Sequence, residues 1–167
     1  VNFGEDGKAF YNQLNRTNNI DSYDKDSYES LYQKTDYESI IITYHGSNSS
    51  PYNSYKIPKD VLDIIDSISL NNEVILNLFL NPYSLNSFNS LDNIESIIIS
   101  YQNSVISQEI SADLISGYRT FSGKLPVSTK FFPLNHGLSM DKKKLLSYSR
   151  PSYVGFNPKR LANLDSL

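Results

Sequence analysis

The chain has 167 residues, a formal charge of −3 and no cysteine. That balance gives no electrostatic footprint for nucleic acid or an anionic membrane, and disulfides, thiolate metal sites and cysteine nucleophiles are excluded. No apolar run approaches the roughly 20 residues of a membrane span, and the length suits one domain that buries roughly 70% of its unfolded surface.

Val1–Phe3 reads as the end of a strand and Gly4-Glu5-Asp6-Gly7 as its turn. A helix of about ten residues follows, with Phe10 and Leu14 on one face. Asn18–Asp21 is a short strand candidate, and Ser27–Lys34 sets Tyr28, Leu31 and Tyr32 at helical spacing. Glu38–His45 ("ESIIITYH") is too continuously apolar for a half-exposed strand, so burial on both faces is expected. After the polar loop Gly46–Lys56, Pro58 opens a helix whose stripe is Val61, Leu62, Ile64, Ile65 and Ile68. Asn72–Leu80 ("NEVILNLFL") is a second buried strand, closed by Asn81-Pro82, and Ile94–Tyr101 a third. The knot Tyr101-Gln102-Asn103-Ser104 turns that strand into a helix. Ser104 is its N-cap, Ile106, Ile110 and Leu114 its apolar row, and Gly117 its left-handed terminus. Gly123–Ser128 leads into a last short strand, with Pro126 at its start or edge.

From Met140 the pattern changes. The only basic run, Lys142-Lys143-Lys144, reads as solvated surface. A linker-like stretch then leads to Asn157-Pro158 and to leucines at 161, 164 and 167. The start at Val1 and the stop inside a helical pattern lead to the expectation of a piece cut from a longer polypeptide.

Strands and helices alternate, and the strands are buried on both faces. This predicts an α/β fold: a three-layer α/β/α sandwich over residues 1–139 with a mainly parallel sheet of five or six strands. Its centre is expected from 38–45, 73–80 and 95–101, with residues 140–167 as a linker and the start of a following domain.

Ligands of such sheets sit outside the carboxyl ends of the strands. There the sequence offers Glu5 and Asp6, Asp21, His45 with Ser47 and Asn48, Asn81 with Tyr83, and Gln102 with Asn103. A histidine base among carboxylates and amides makes a pocket on one reading. On the other, the same residue types cap helices and fold back on turns. No P-loop or G-x-S-x-G elbow is present, and Gly4-x-x-Gly7 lacks the glycines of a dinucleotide fingerprint. Two histidines, His45 and His136, are too few for a histidine-based metal centre, and no cofactor is implied.

Four motifs in order carry a resemblance: "HGSNSSPYNSY" (45–55), "VILNLFLNPYSL" (74–85), "IIISYQNSVISQEISADLISG" (97–117) and "GKLPVS" (123–128). Together they resemble the C-terminal α/β sandwich domain of family 3 glycoside hydrolases, in the bacterial β-N-acetylhexosaminidase branch. The tail "YSRPSYVGFNPKRLANLDSL" (148–167) resembles the junction into a serine β-lactamase-like domain, none of whose catalytic motifs is present. The resemblance implies a periplasmic or exported parent enzyme acting on cell-wall or chitin-type glycans. Its nucleophilic aspartate, and the histidine–aspartate pair of this branch, lie on an N-terminal barrel, so no catalytic residue maps onto this chain. The strand-end residues His45, Ser47, Asn48, Asn81, Tyr83, Gln102 and Asn103 remain binding candidates at most. Two other readings stand beside it: a self-contained doubly wound binding or signalling domain, and a small hydrolase using His45 with Ser47 or Glu5.

Overall fold

A computed structural model describes residues 1–33, 37–47, 50, 54–140, 150–158 and 160. Strands β1 (Asn2–Gly4), β2 (Ile40–His45), β3 (Val74–Phe79) and β4 (Ser96–Ile99) form one sheet in the order β1-β2-β3-β4. Every pair is parallel, with Asn2 opposite Thr43, Thr43 opposite Asn77, and Asn77 opposite Ile98. The helices are α1 (Lys8–Leu14), α2 (Lys59–Ser69) and α3 (Val105–Ile115), and 3-10 helices span Tyr28–Gln33, Pro82–Ser87 and Pro151–Val154. The α/β class and the parallel strands at 40–45, 74–79 and 96–99 stand as the sequence predicts. However, β4 is an edge strand of the described sheet rather than a central one, and its residues are half-buried or exposed instead of buried on both faces. Four strands are present among the described residues, rather than five or six.

Alternation along the strands sorts the apolar side chains into two sets. Ile40, Ile42, Val74, Leu76 and Leu78 pack with Val61, Ile65 and Ile68 of α2, all nearly inaccessible to solvent. Burying those three α2 side chains contributes at most about 1.5–3 kcal/mol each. The other set joins Phe79 to Phe10 and Leu14 of α1 and Ala112 of α3, with Ile41 and Ile115 at its margin. The β1–β2 connection visits both sets. It runs through α1, pairs the Tyr23 carbonyl with the Asn2 N–H at 2.8 Å, and then buries Leu31 in the α2 cluster.

Several expectations are corrected. Residues 18–21 form no strand. The helix after β1 has seven residues instead of about ten. Gly123–Ser128 forms no strand either. Leu125 instead trades backbone hydrogen bonds with His136 and Asn135, at 2.8 and 2.9 Å, in an irregular clasp. Pro126 has no N–H to give a ladder.

The largest correction concerns α3. Ile106 and Ile110 face solvent, 69% and 41% exposed, while Gln108, Ser111 and Ala112 are buried. Hydrogen bonding sets this rotation. Ser100 Oγ lies 2.7 Å from both Asn77 Oδ1 and Ser111 Oγ, so the helix must turn Ser111 toward the sheet to satisfy groups that are costly to leave unpaired. The ends of α3 are as expected. Ser104 Oγ accepts from the Ser107 N–H, and Gly117 takes φ +77° while the Tyr118 N–H closes onto the Asp113 carbonyl. Lys142–Lys144 and the three tail leucines lie outside the described residues.

Candidate functional site

The carboxyl ends of β2 and β4 are joined by side chains from the knot and from α3. After Ile99 the ladder continues one step, with the Ser100 N–H on the Leu78 carbonyl at 2.8 Å. Tyr101 then takes φ 60°, and the Gln102 N–H turns back to the Ser100 carbonyl at 2.6 Å. This γ-turn at a bulky residue is a strained way to end a strand, costing about 1–3 kcal/mol. It leaves Tyr101 and Gln102 exposed and turns Asn103 inward.

Asn103 Oδ1 lies 2.8 Å from His45 Nδ1 and accepts from Gln108 Nε2 at 2.7 Å. The Gln108 amide also donates to the Asp6 carbonyl at 2.9 Å and accepts from the Phe10 N–H at 3.0 Å. One amide thus ties α1, the turn after β1 and the knot together. Because Asn103 Oδ1 can only accept, the hydrogen of His45 sits on Nδ1. The lone pair of Nε2 is then turned toward Gly7 and Asn2, with no hydrogen-bond partner among the described residues. The ring stacks on Phe79 at 4.3 Å and meets the edge of Phe10, and only 1% of the residue is exposed. Burial lowers the His45 pKa below 6.5, against the Asn103 hydrogen bond and the Asp6 charge, which raise it.

Of the remaining candidates the turn after β1 adjoins this histidine, with the Glu5 N–H donating to the His45 carbonyl at 2.8 Å and Asp6 lending its charge, while Asn81, Tyr83 and Asp21 are engaged elsewhere. Asn81 caps the 3-10 helix after β3 by accepting from the Tyr83 N–H at 3.0 Å. The Tyr83 ring lies 6.0 Å from that of Tyr55, on the α2 side. Asp21 accepts from the Tyr37 hydroxyl at 2.7 Å, beside the amino end of β2. Glu5 is exposed, and Asp6 Oδ1 caps the Lys8 N–H at 2.9 Å. Ser47 is half-buried in the loop after β2, and Asn48 lies outside the described residues. Among the described residues no three of His, Cys, Asp and Glu are grouped to hold a metal. No described helix is long and apolar enough to cross a membrane.

Sequence reasoning named His45 and Asn103 but gave no role to Gln108, which holds them, nor to Asn77, Ser100 and Ser111. The signal for Asn77 was present: one amide in the otherwise apolar run "VILNLFL". A hollow of about 690 Å³ along β1, lined in part by Asn2, Phe10 and Ile41, contains none of the seven binding candidates. Comparison with protein-family models, with curated proteins and with solved structures gives no match.

Proposed function

We propose that this chain is a non-catalytic companion domain of a family 3, β-N-acetylglucosaminidase-like glycoside hydrolase, packing against a separate catalytic barrel. Its fold on this reading is a three-layer sandwich whose sheet is completed to five or six strands. The parent enzyme cleaves cell-wall or chitin-type glycans with retention, through a covalent glycosyl–aspartate, outside the cytoplasm, and a β-lactamase-like domain follows it.

The observation that carries the non-catalytic part is the state of His45. A general base must come within hydrogen-bond reach of the proton it takes. His45 is sealed between Phe79, Phe10 and Gly7, and its Nδ1 is held by Asn103. The four ordered motifs are what support the family reading, and two of them now have physical roles. "NPY" is a capped 3-10 turn, and "YQNS" with the later glutamine is the junction that locks α3 to β2.

The test is an assay of the purified chain on aryl N-acetyl-β-glucosaminides, alone and joined to the barrel encoded upstream in its gene. The expected result is no turnover alone and turnover with the barrel. Turnover by the isolated chain that survives repurification and is lost in His45→Ala overturns the reading, as does a gene with no barrel.

A further inference from the structure

We infer that the groove between α2 and the 3-10 helix Pro82–Ser87 is a binding site for a neutral, polyhydroxylated ligand, a short saccharide. Both walls follow the carboxyl ends of strands. The segment before α2 comes from β2, and the 3-10 helix from β3. This is the end of a parallel sheet at which ligands bind. The hollow measures about 590 Å³, within the range of small-molecule sites.

Two aromatic rings stand at this groove. Tyr55 and Tyr83 are 43% and 38% exposed, with ring centres 6.0 Å apart and planes inclined by 45°. Neither ring is spent on the core, although Ile57 and Phe88 beside them are buried. An exposed aromatic face suits the C–H face of a pyranose, which is apolar, while a hydroxyl rim turns to polar neighbours. Those neighbours are present. Lys56, Lys59, Asp63 and Asp66 line the groove with Asn86.

The charges decide the ligand class. Two lysines and two aspartates cancel, so the groove selects neither an anion nor a cation. Carboxylates and an amide instead provide acceptors and donors for adjacent hydroxyls. One wall is fixed in place: Lys130 Nζ donates to the Phe88 and Asn89 carbonyls at 3.1 Å, and the Lys130 N–H donates to Asn86 Oδ1 at 2.7 Å. A pre-formed wall spares a ligand the entropy of ordering it. Tyrosine-lined grooves also take extended proline-rich peptides. The paired carboxylates and lysines favour the hydroxyl-rich occupant.

The saccharide class rests on the groove alone, whereas an N-acetylglucosamine oligomer as first probe rests on the function proposed above. The experiment titrates the full chain with chitotriose, cellotriose and a proline-rich decapeptide, followed by calorimetry and amide chemical shifts. Chitotriose is expected to bind saturably and to perturb residues 55–59 and 83–89. Tyr55→Ala and Tyr83→Ala are expected to weaken it by about tenfold or more, near 1.4 kcal/mol, while Tyr118→Ala, outside the groove, leaves it unchanged. Cellotriose binding with the same tyrosine dependence supports the groove while counting against the chitin-type reading. Failure of both sugars to bind, binding indifferent to both tyrosines, or tighter binding of the peptide overturns the inference.

Discussion

His45 and Asn103 are hydrogen-bonded across 58 residues of sequence, Nδ1 to Oδ1 at 2.8 Å, and this one contact fixes the end of β2 to the start of α3. The same oxygen serves Gln108 Nε2. Asn103→Leu therefore leaves the His45 N–H without an acceptor and removes one of the two acceptors of the Gln108 amide. Each unmade buried bond costs about 1–3 kcal/mol, so urea denaturation is expected to show a loss of about 2–6 kcal/mol. A loss below about 0.5 kcal/mol, the scale of an ordinary surface change, would show that the network is open in solution.

Stability is expected to depend on His45 in a defined pH window. Burial lowers its pKa below 6.5 in the folded chain, with Asn103 and Asp6 opposing. Below pH 6.5 the unfolded chain binds a proton that the folded one refuses, so folding weakens as pH falls, until the folded pKa is passed. Above that window His45 contributes no slope. One proton sets a ceiling of about 1.4 kcal/mol per pH unit. His45→Gln should remove this component, read as a shallower loss of unfolding free energy on going from neutral to mildly acidic buffer. Identical slopes for the two proteins would refute it.

Gly7 is expected to be intolerant of a methyl group. A Cβ there would lie 2.6 Å from His45 Nε2 and 3.0 Å from Asn2 Oδ1. The imidazole cannot swing aside, because Phe79 stacks on it and Asn103 holds its other nitrogen. Overpacking of this kind costs about 1–3 kcal/mol. Gly7→Ala should lower the melting temperature by about 2–4 °C for each of those kcal/mol. An unchanged melting point would mean that the ring is free to move.

The orientation of α3 makes opposite predictions for two neighbours. Ile110→Gln, on the exposed row, should change stability by no more than about 0.5 kcal/mol. Ala112→Leu pushes a larger side chain against Phe10 and Phe79 and should cost about 1–3 kcal/mol. The reverse order in denaturant titrations would restore the Ile106–Ile110–Leu114 row to the core.

Removing residues 141–167 should leave a folded domain. Residues 150–158 and 160, the described part of this tail, are all exposed. Circular dichroism and hydrogen exchange of a chain ending at Met140 should match those of the full chain over residues 1–140. Collapse of the protected amides would place the tail inside the folding unit.

The parts of the fold legible in the sequence were those set by bulk burial. The runs at 40–45 and 74–79 can sit only between two layers, and the stripe Val61, Ile65, Ile68 can meet only one of them. What escaped reading was governed by single hydrogen bonds between distant residues. The rotation of α3 follows from Ser111 meeting Ser100, eleven residues apart on two elements, and hydropathy counted the isoleucines on the wrong side. The candidate site divides in the same way. His45 and Asn103 were visible as polar residues at strand ends, but Gln108 reads as one more surface position until the Asp6 carbonyl and the Phe10 N–H are found against it.

Seven residues of α1 are too few to persist in water, where about 12–15 are marginal even for good helix formers. Its hydrogen-bonding partners on α3, Gln108 for Phe10 and Asp113 for Gln13, come 98 and 100 residues later. On a ribosome adding about 5–20 residues per second, the helix therefore waits roughly 5–20 s for its anchor. Throughout that interval Phe10 and Leu14 are apolar surface open to chaperones, so α1, made before α2 and α3, is secured only when α3 arrives.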